Sequence, residues 1–215
     1  MTTNLSDRIS NNFILLLQQM DDRVVYINNP LTIFNTRDRG TTRSGTRVNT
    51  LVQRIINHTR GKSQVISYLL LNIQLDNNCN KHAILLIFLY IPPLPKIDTV
   101  LIFDSNGLSL ESTNCHRIIH NILEQIEYPI RYVNVLNISI NNLRDGGHCD
   151  ATTLWFLYHI IIKKIYTENN ILELARNFEI QFYNSHLRIK NPIWLNNQIK
   201  ILLQTKQTNE LIHYI

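Results

Sequence analysis

The sequence predicts an α+β fold, with a central mixed or antiparallel sheet flanked by helices. Three observations predict it. Apolar residues recur at helical spacing near both ends of the chain. The middle switches to continuous strand-like apolar runs. Hydrophobic residues make up 44% of the 215 and charged residues 17%, enough apolar side chain for a packed core. Helices, then a block of strands, then helices is the order of an α+β chain rather than of alternating strand–helix units.

Residues 4–22 read as a helix, with Ile9, Phe13, Leu16, Leu17 and Met20 on one face and Ser6 or Asp7 as cap. Val24-Val25-Tyr26-Ile27 is a short strand closed by Asn28-Asn29-Pro30. Thr36 to Gly45 is a polar loop, and Arg47 to His58 carries a second helical face. Val65 to Ile73 reads as a strand, and Asp76 to Asn80, with Cys79, as a turn. His82 to Tyr90 is apolar enough to be buried on both faces. Pro92-Pro93-Leu94-Pro95 connects it to a strand over Asp98 to Phe103, an antiparallel hairpin. Cys115 to Ile126 is helical, Arg131 to Leu136 a strand, and 148–166 a long buried helix. Asn170 to Phe178 and Trp194 to Thr205 complete the helices. The organisation is an N-terminal helical and basic lobe (1–64), a core (65–166) and a C-terminal helical segment (167–215), together one compact domain.

The formal net charge is +5. Its excess is concentrated in Arg37, Arg39, Arg43, Arg47, Arg54, Arg60 and Lys62, opposed between Thr36 and Ser63 only by Asp38. This Arg37–Lys62 segment is either a solvated basic stretch or a surface for an acidic partner, for anionic lipid or for nucleic acid. No aromatic residue interleaves with the arginines, which argues against a stacking platform for single-stranded nucleic acid. Three cysteines, Cys79, Cys115 and Cys149, with no CxxC pair argue against a disulfide framework and a structural zinc site. No metal or cofactor is expected. The N-terminus lacks the basic start and long apolar stretch of a signal peptide, and no apolar run is long enough to span a membrane. A cytoplasmic protein is expected, one that reaches that cytosol by synthesis there or by delivery into a host cell.

The chemistry concentrates in Gly146-Gly147-His148-Cys149-Asp150-Ala151, which opens the long apolar helix. A thiol on the first turn of a helix sits where backbone N–H groups converge, an arrangement that favours the reactive thiolate. His82 opens one core strand and Asp104 ends the next, in the run Leu101-Ile102-Phe103-Asp104-Ser105-Asn106-Gly107. Asp104 follows His82 by 22 positions, and Cys149 follows Asp104 by 45. A base, an orienting carboxylate and a nucleophile at the ends of three core elements form a triad-type constellation.

These segments resemble the clan of cysteine proteases that includes the SUMO and ubiquitin-like-protein proteases, the adenovirus protease and bacterial deubiquitinase effectors. The resemblance covers about residues 65–166. Ser67 to Ile73 is similar to that family's first strand, His82 to Ile87 to its histidine strand, and Leu101 to Gly107 to its aspartate strand. Gly147 to Ala151 is similar to its nucleophile turn. Ala83 stands where the family usually carries Trp, and Asp150 where Gly usually follows the cysteine. Leu143 and Asn142 stand where a Gln is usual. The resemblance implies a papain-like fold of the ubiquitin-like-protease type, with Cys149, His82 and Asp104 as catalytic triad. It makes Asn142 the candidate oxyanion-hole side chain, beside the Cys149 N–H. Gly146 and Gly147 would let an extended substrate tail approach the backbone.

The implied activity is a thiol peptidase that removes ubiquitin or a ubiquitin-like modifier, as in a bacterial effector or a large-virus protein. Two alternatives share the features. One is a Yop-type acetyltransferase on the same scaffold, which the Asp104-Ser105 strand end disfavours. The other is a binding module on a decayed protease fold, which Ala83, Asp150 and the missing Gln favour.

Overall fold

The computed structural model describes residues 7–26, 31–35, 41–42, 57, 64–75, 78–91, 96–105, 120, 124, 132–137, 149–184 and 197–205. The elements are α1 (Asp7–Met20), β1 (Val24–Tyr26), β2 (Leu31–Asn35), β3 (Thr41–Thr42), β4 (Gln64–Leu75), β5 (Asn78–Ile91), β6 (Lys96–Asp104), β7 (Tyr132–Asn137), α2 (Cys149–Ile162) and α3 (Glu168–Asn184). Residues 197–205 are also helical. The fold is α+β, with a seven-stranded mixed sheet in the order β3-β2-β4-β5-β6-β7 and β1 paired to β4 off that path.

The long β4–β5–β6 meander is antiparallel throughout, and it is the part the sequence marks most strongly. Twelve consecutive residues of β4 pair with β5, from Gln64 opposite Leu89 to Leu75 opposite Asn78. The strand is long enough to hold two short strands in line along its other edge. β1 runs parallel to its first part (Val24 opposite Ile66), and β2 runs parallel to its second (Leu31 opposite Leu71). β7 adds in parallel to β6.

Several boundaries differ from those the sequence predicts. β2 has no counterpart in the reading, and β3 falls inside the expected loop Thr36 to Gly45. Both are short: β2 adds to the edge of β4 opposite β5 and β3 pairs in turn with β2, so neither carries a long apolar pattern. Cys79 lies in β5 opposite Gln74, not in a turn, because the hairpin register carries pairing on to Leu75 and Asn78. His82 is accordingly the fifth residue of β5 rather than its first. The expected helices Arg47 to His58 and Cys115 to Ile126 fall almost wholly outside the described residues. The same is true of the seven cations of the Arg37–Lys62 segment.

One core cluster draws on α1 (Phe13, Ile14, Leu17), β5 (Ala83, Leu85, Ile87), β6 (Leu101, Phe103), α2 (Leu154, Phe156, Leu157, Ile160), α3 (Ile171, Leu174) and Ile199. The faces follow from strand alternation: Ala83, Leu85, Ile87, Leu101 and Phe103 share the side that α2 covers. Phe103 stacks on Phe156 with ring centroids 4.0 Å apart and planes 6° from parallel. The α2 sequence is apolar almost all round, and the helix is correspondingly buried along most of its length.

Candidate functional site

Cys149 is the first residue of α2 and is 7% exposed. Asp104 is the last residue of β6, and both it and the following Ser105 are fully buried. A carboxyl in such a place needs polar company, and Asp104 is engaged there. The β5–β6 ladder ends where Ile84 faces Asp104, and His82 stands two residues further along β5, opposite Leu71 of β4.

The direction of α2 fixes which end of the sheet its first residue visits. Thr153 donates a hydrogen bond from Oγ1 to the carbonyl of Ala83 at 3.2 Å. One turn later Phe156 stacks on Phe103, which pairs with Leu85. The helix therefore runs along β5 in the same sense, and Cys149 lies one turn back from Thr153. That places the helix start beyond Ala83, at the end where β6 stops in Asp104 and β5 continues to His82. Backbone alternation gives positions 82 and 84 the same parity as Asp104, opposite to that of Ala83 and Phe103. Cys149 thus lies at the Asp104 end of the sheet, on the face that α2 covers, while positions 82 and 104 belong to the other face.

Asp150 is half-buried on the first turn of α2. A carboxylate there meets the positive end of the helix dipole, an interaction worth about 0.3–1 kcal/mol. This gives Asp150 a structural role at that position. Asn142, Gly146 and Gly147 lie outside the described residues. Among the described residues, no group of three or more His, Cys, Asp or Glu is placed to hold a metal ion. No helix among them is long and apolar enough to cross a membrane.

Two further polar residues stand at this end without a motif that marks them. Thr152 and Thr153 are fully buried, three and four residues after Cys149. The signal available was two hydroxyls inside an otherwise apolar helix, in the turn that follows the candidate nucleophile.

No family model matches the chain, and no curated protein matches it in sequence. Solved structures do resemble it. A crystal structure of the Legionella pneumophila effector protein RavZ superposes with a TM-score of 0.52 at 12% identity, covering 85% of this chain. A RavZ form spanning 20–502 gives 0.51 at 11% identity and covers 93% of this chain. The chain spans 64% of the RavZ chain in the first match and 68% in the second. At such identities the likeness shows the fold alone. That fold is the α+β, papain-like arrangement that the sequence predicts.

Proposed function

We propose that this protein is a thiol-dependent peptidase that cleaves ubiquitin or ubiquitin-like modifiers, with Cys149 as nucleophile, His82 as base and Asp104 as its orienting group. The observation that carries the reading is the convergence at one end of the sheet. A buried cysteine opens the central helix, a buried aspartate ends β6, and the residue after His82 is bonded to the turn that follows the cysteine. Buried polar and nucleophilic side chains at the ends of core elements are costly unless paired, and such clusters concentrate at functional sites.

In this reading His82 accepts the Cys149 proton and the thiolate attacks the carbonyl at the end of the modifier tail. The amine departs with the proton from His82, leaving a thioester. Water, deprotonated by His82, then releases the carboxylate and the free thiol. Asp104 holds the imidazole in orientation and balances its charge. Asn142 and the Cys149 N–H are the proposed oxyanion donors, and Gly146 and Gly147 the channel for the tail. The fold shared with a bacterial effector supports a protein delivered into a host cytosol.

The test is hydrolysis of ubiquitin, SUMO and other ubiquitin-like proteins bearing a C-terminal fluorogenic amide. Turnover of at least one modifier is expected, and Cys149→Ala should abolish it. Turnover that survives Cys149→Ala would overturn the assignment.

A further inference from the structure

We infer that Thr153 is a positioning residue that sets the approach of Cys149 to His82, acting through the Ala83 carbonyl. The inference rests on the thiol reading of the site given above.

Thr153 is fully buried on the face of α2 that covers β5. Its neighbours along the helix, Leu154, Phe156, Leu157 and Ile160, are apolar and equally buried. A valine would fill the same volume, so packing alone does not call for a hydroxyl. Within a helix, a threonine hydroxyl commonly folds back onto the carbonyl four residues earlier. For Thr153 that carbonyl belongs to Cys149. The hydroxyl instead reaches across to the sheet and donates to Ala83 at 3.2 Å. Ala83 is the first β5 residue beyond the β5–β6 ladder, and His82 is its neighbour in the chain.

The bond closes a short bridge. From Cys149 to Thr153 is one helical turn, a rise of about 6 Å. From Ala83 to His82 is one peptide, about 3.8 Å between Cα atoms. The apolar contacts of α2, such as the Phe103–Phe156 stack, resist separation of helix and sheet but are nondirectional along the strand. The Thr153 bond is directional and fixes the axial register of the helix start against the strand that carries His82. Thr152 is a built-in comparison. It is equally buried, and its Oγ1 has no hydrogen-bond partner among the described residues.

The experiment measures the rate at which iodoacetamide alkylates Cys149, resolved by mass from the other two cysteines, with thermal unfolding followed in parallel. The proteins are the wild type, Thr153→Val, Thr153→Ser, Thr152→Val, His82→Ala and the double variant His82→Ala with Thr153→Val. Thr153→Val is expected to slow alkylation about tenfold, short of the roughly hundredfold that misplacement by an ångström can cost. Thr153→Ser should restore the rate and Thr152→Val should leave it unchanged. In the His82→Ala background, Thr153→Val should have no further effect, because its route to the thiol is through His82. Wild-type alkylation of Thr153→Val, equal slowing by Thr152→Val, or the same slowing with and without His82 would each overturn the inference and leave Thr153 a structural residue. Wild-type alkylation of His82→Ala would instead overturn the thiol reading itself. Should the valine variant fail to fold, Thr153→Ala against Thr153→Ser makes the same comparison.

Discussion

Among single residues, the proposed function separates groups that would do chemistry from groups that would hold position. His82→Ala is expected to lower modifier hydrolysis about 100- to 10,000-fold, the range for loss of a general base. Its unfolding temperature should stay near that of the wild type. Asp104→Asn should be milder, because an amide oxygen can still accept from the imidazole although the charge is lost. Steady-state kinetics of both variants check the order, and an Asp104→Asn variant as slow as His82→Ala would remove Asp104 from the orienting role. The placement of Cys149 and Asp104 at the ends of core elements was legible in the sequence, because Cys149 follows a glycine pair and begins an apolar run, and Asp104 closes one. Thr153 was not legible in the same way. Its role depends on which strand carbonyl lies opposite, and no local pattern encodes that.

At the scale of elements, α2 carries the most information. It ends in a Schellman motif, with the Ile165 N–H bonded to the Ile160 carbonyl and the Lys164 N–H to the Ile161 carbonyl, both at 3.1 Å. Ile165 and Ile160 are both buried in the core cluster, the apolar contact that accompanies the motif. Lys164 takes φ 51° there, a left-handed conformation that glycine adopts without penalty. Lys164→Gly is therefore expected to stabilise the protein by up to about 1 kcal/mol, partly offset by the greater freedom of the unfolded chain. Denaturant unfolding measures it, and a clear loss of stability would contradict this account of the helix end.

On the same helix, His159 is half-buried between the rings of Trp155 and Tyr158. Burial, helped by the nearby Lys163 charge, holds its pKa below 6.5. The folded state therefore prefers neutral His159, and the unfolded chain binds more protons below pH 6.5. The resulting loss of stability is absent above pH 6.5 and grows as pH falls toward the folded-state pKa. Melting temperatures from pH 7.5 to 5.5 should fall less steeply for His159→Gln than for the wild type. Parallel slopes would contradict the prediction. Elements with long apolar runs, such as β5, β6 and α2, were readable because their burial is written into many residues at once. β2 and β3 were not, because they are short, β2 being recruited by β4 and β3 in turn by β2.

At the scale of the whole molecule, Arg23 ties the parts together. It sits between α1 and β1, is 7% exposed, and its Nε lies 2.8 and 2.9 Å from the two carboxylate oxygens of Asp21. Its guanidinium lies 4.1 Å from the centre of the Tyr166 ring, and Nη1 reaches the Ile165 carbonyl at 3.5 Å. Its own carbonyl accepts from the Ile66 N–H of β4 at 2.9 Å. One residue thus joins three parts: its side chain ties the end of α1 to the end of α2, and its carbonyl holds β4. Arg23→Ala should cost about 3 kcal/mol, because Asp21 is left nearly buried without its cation. For a chain of this size that is a drop of roughly 9 °C in melting temperature. A drop of only a degree or two would mean that the apolar core holds these parts without the clasp. The α+β class was readable at this scale from the order of helices and strands. The clasp was not, since Arg23 and Ile165 are joined only by the fold.

In the proposed function, Cys149 reacts with the C-terminus of a ubiquitin-like modifier. The direct measurement is intact-mass and peptide mapping after incubation with ubiquitin- and SUMO-tail electrophiles, with acetyl-coenzyme A in a parallel sample. A single modifier adduct on Cys149 is expected, absent from Cys149→Ala and slow to form in His82→Ala. Acetylation of Cys149 with no modifier adduct, or adducts only on Cys79 or Cys115, would contradict it.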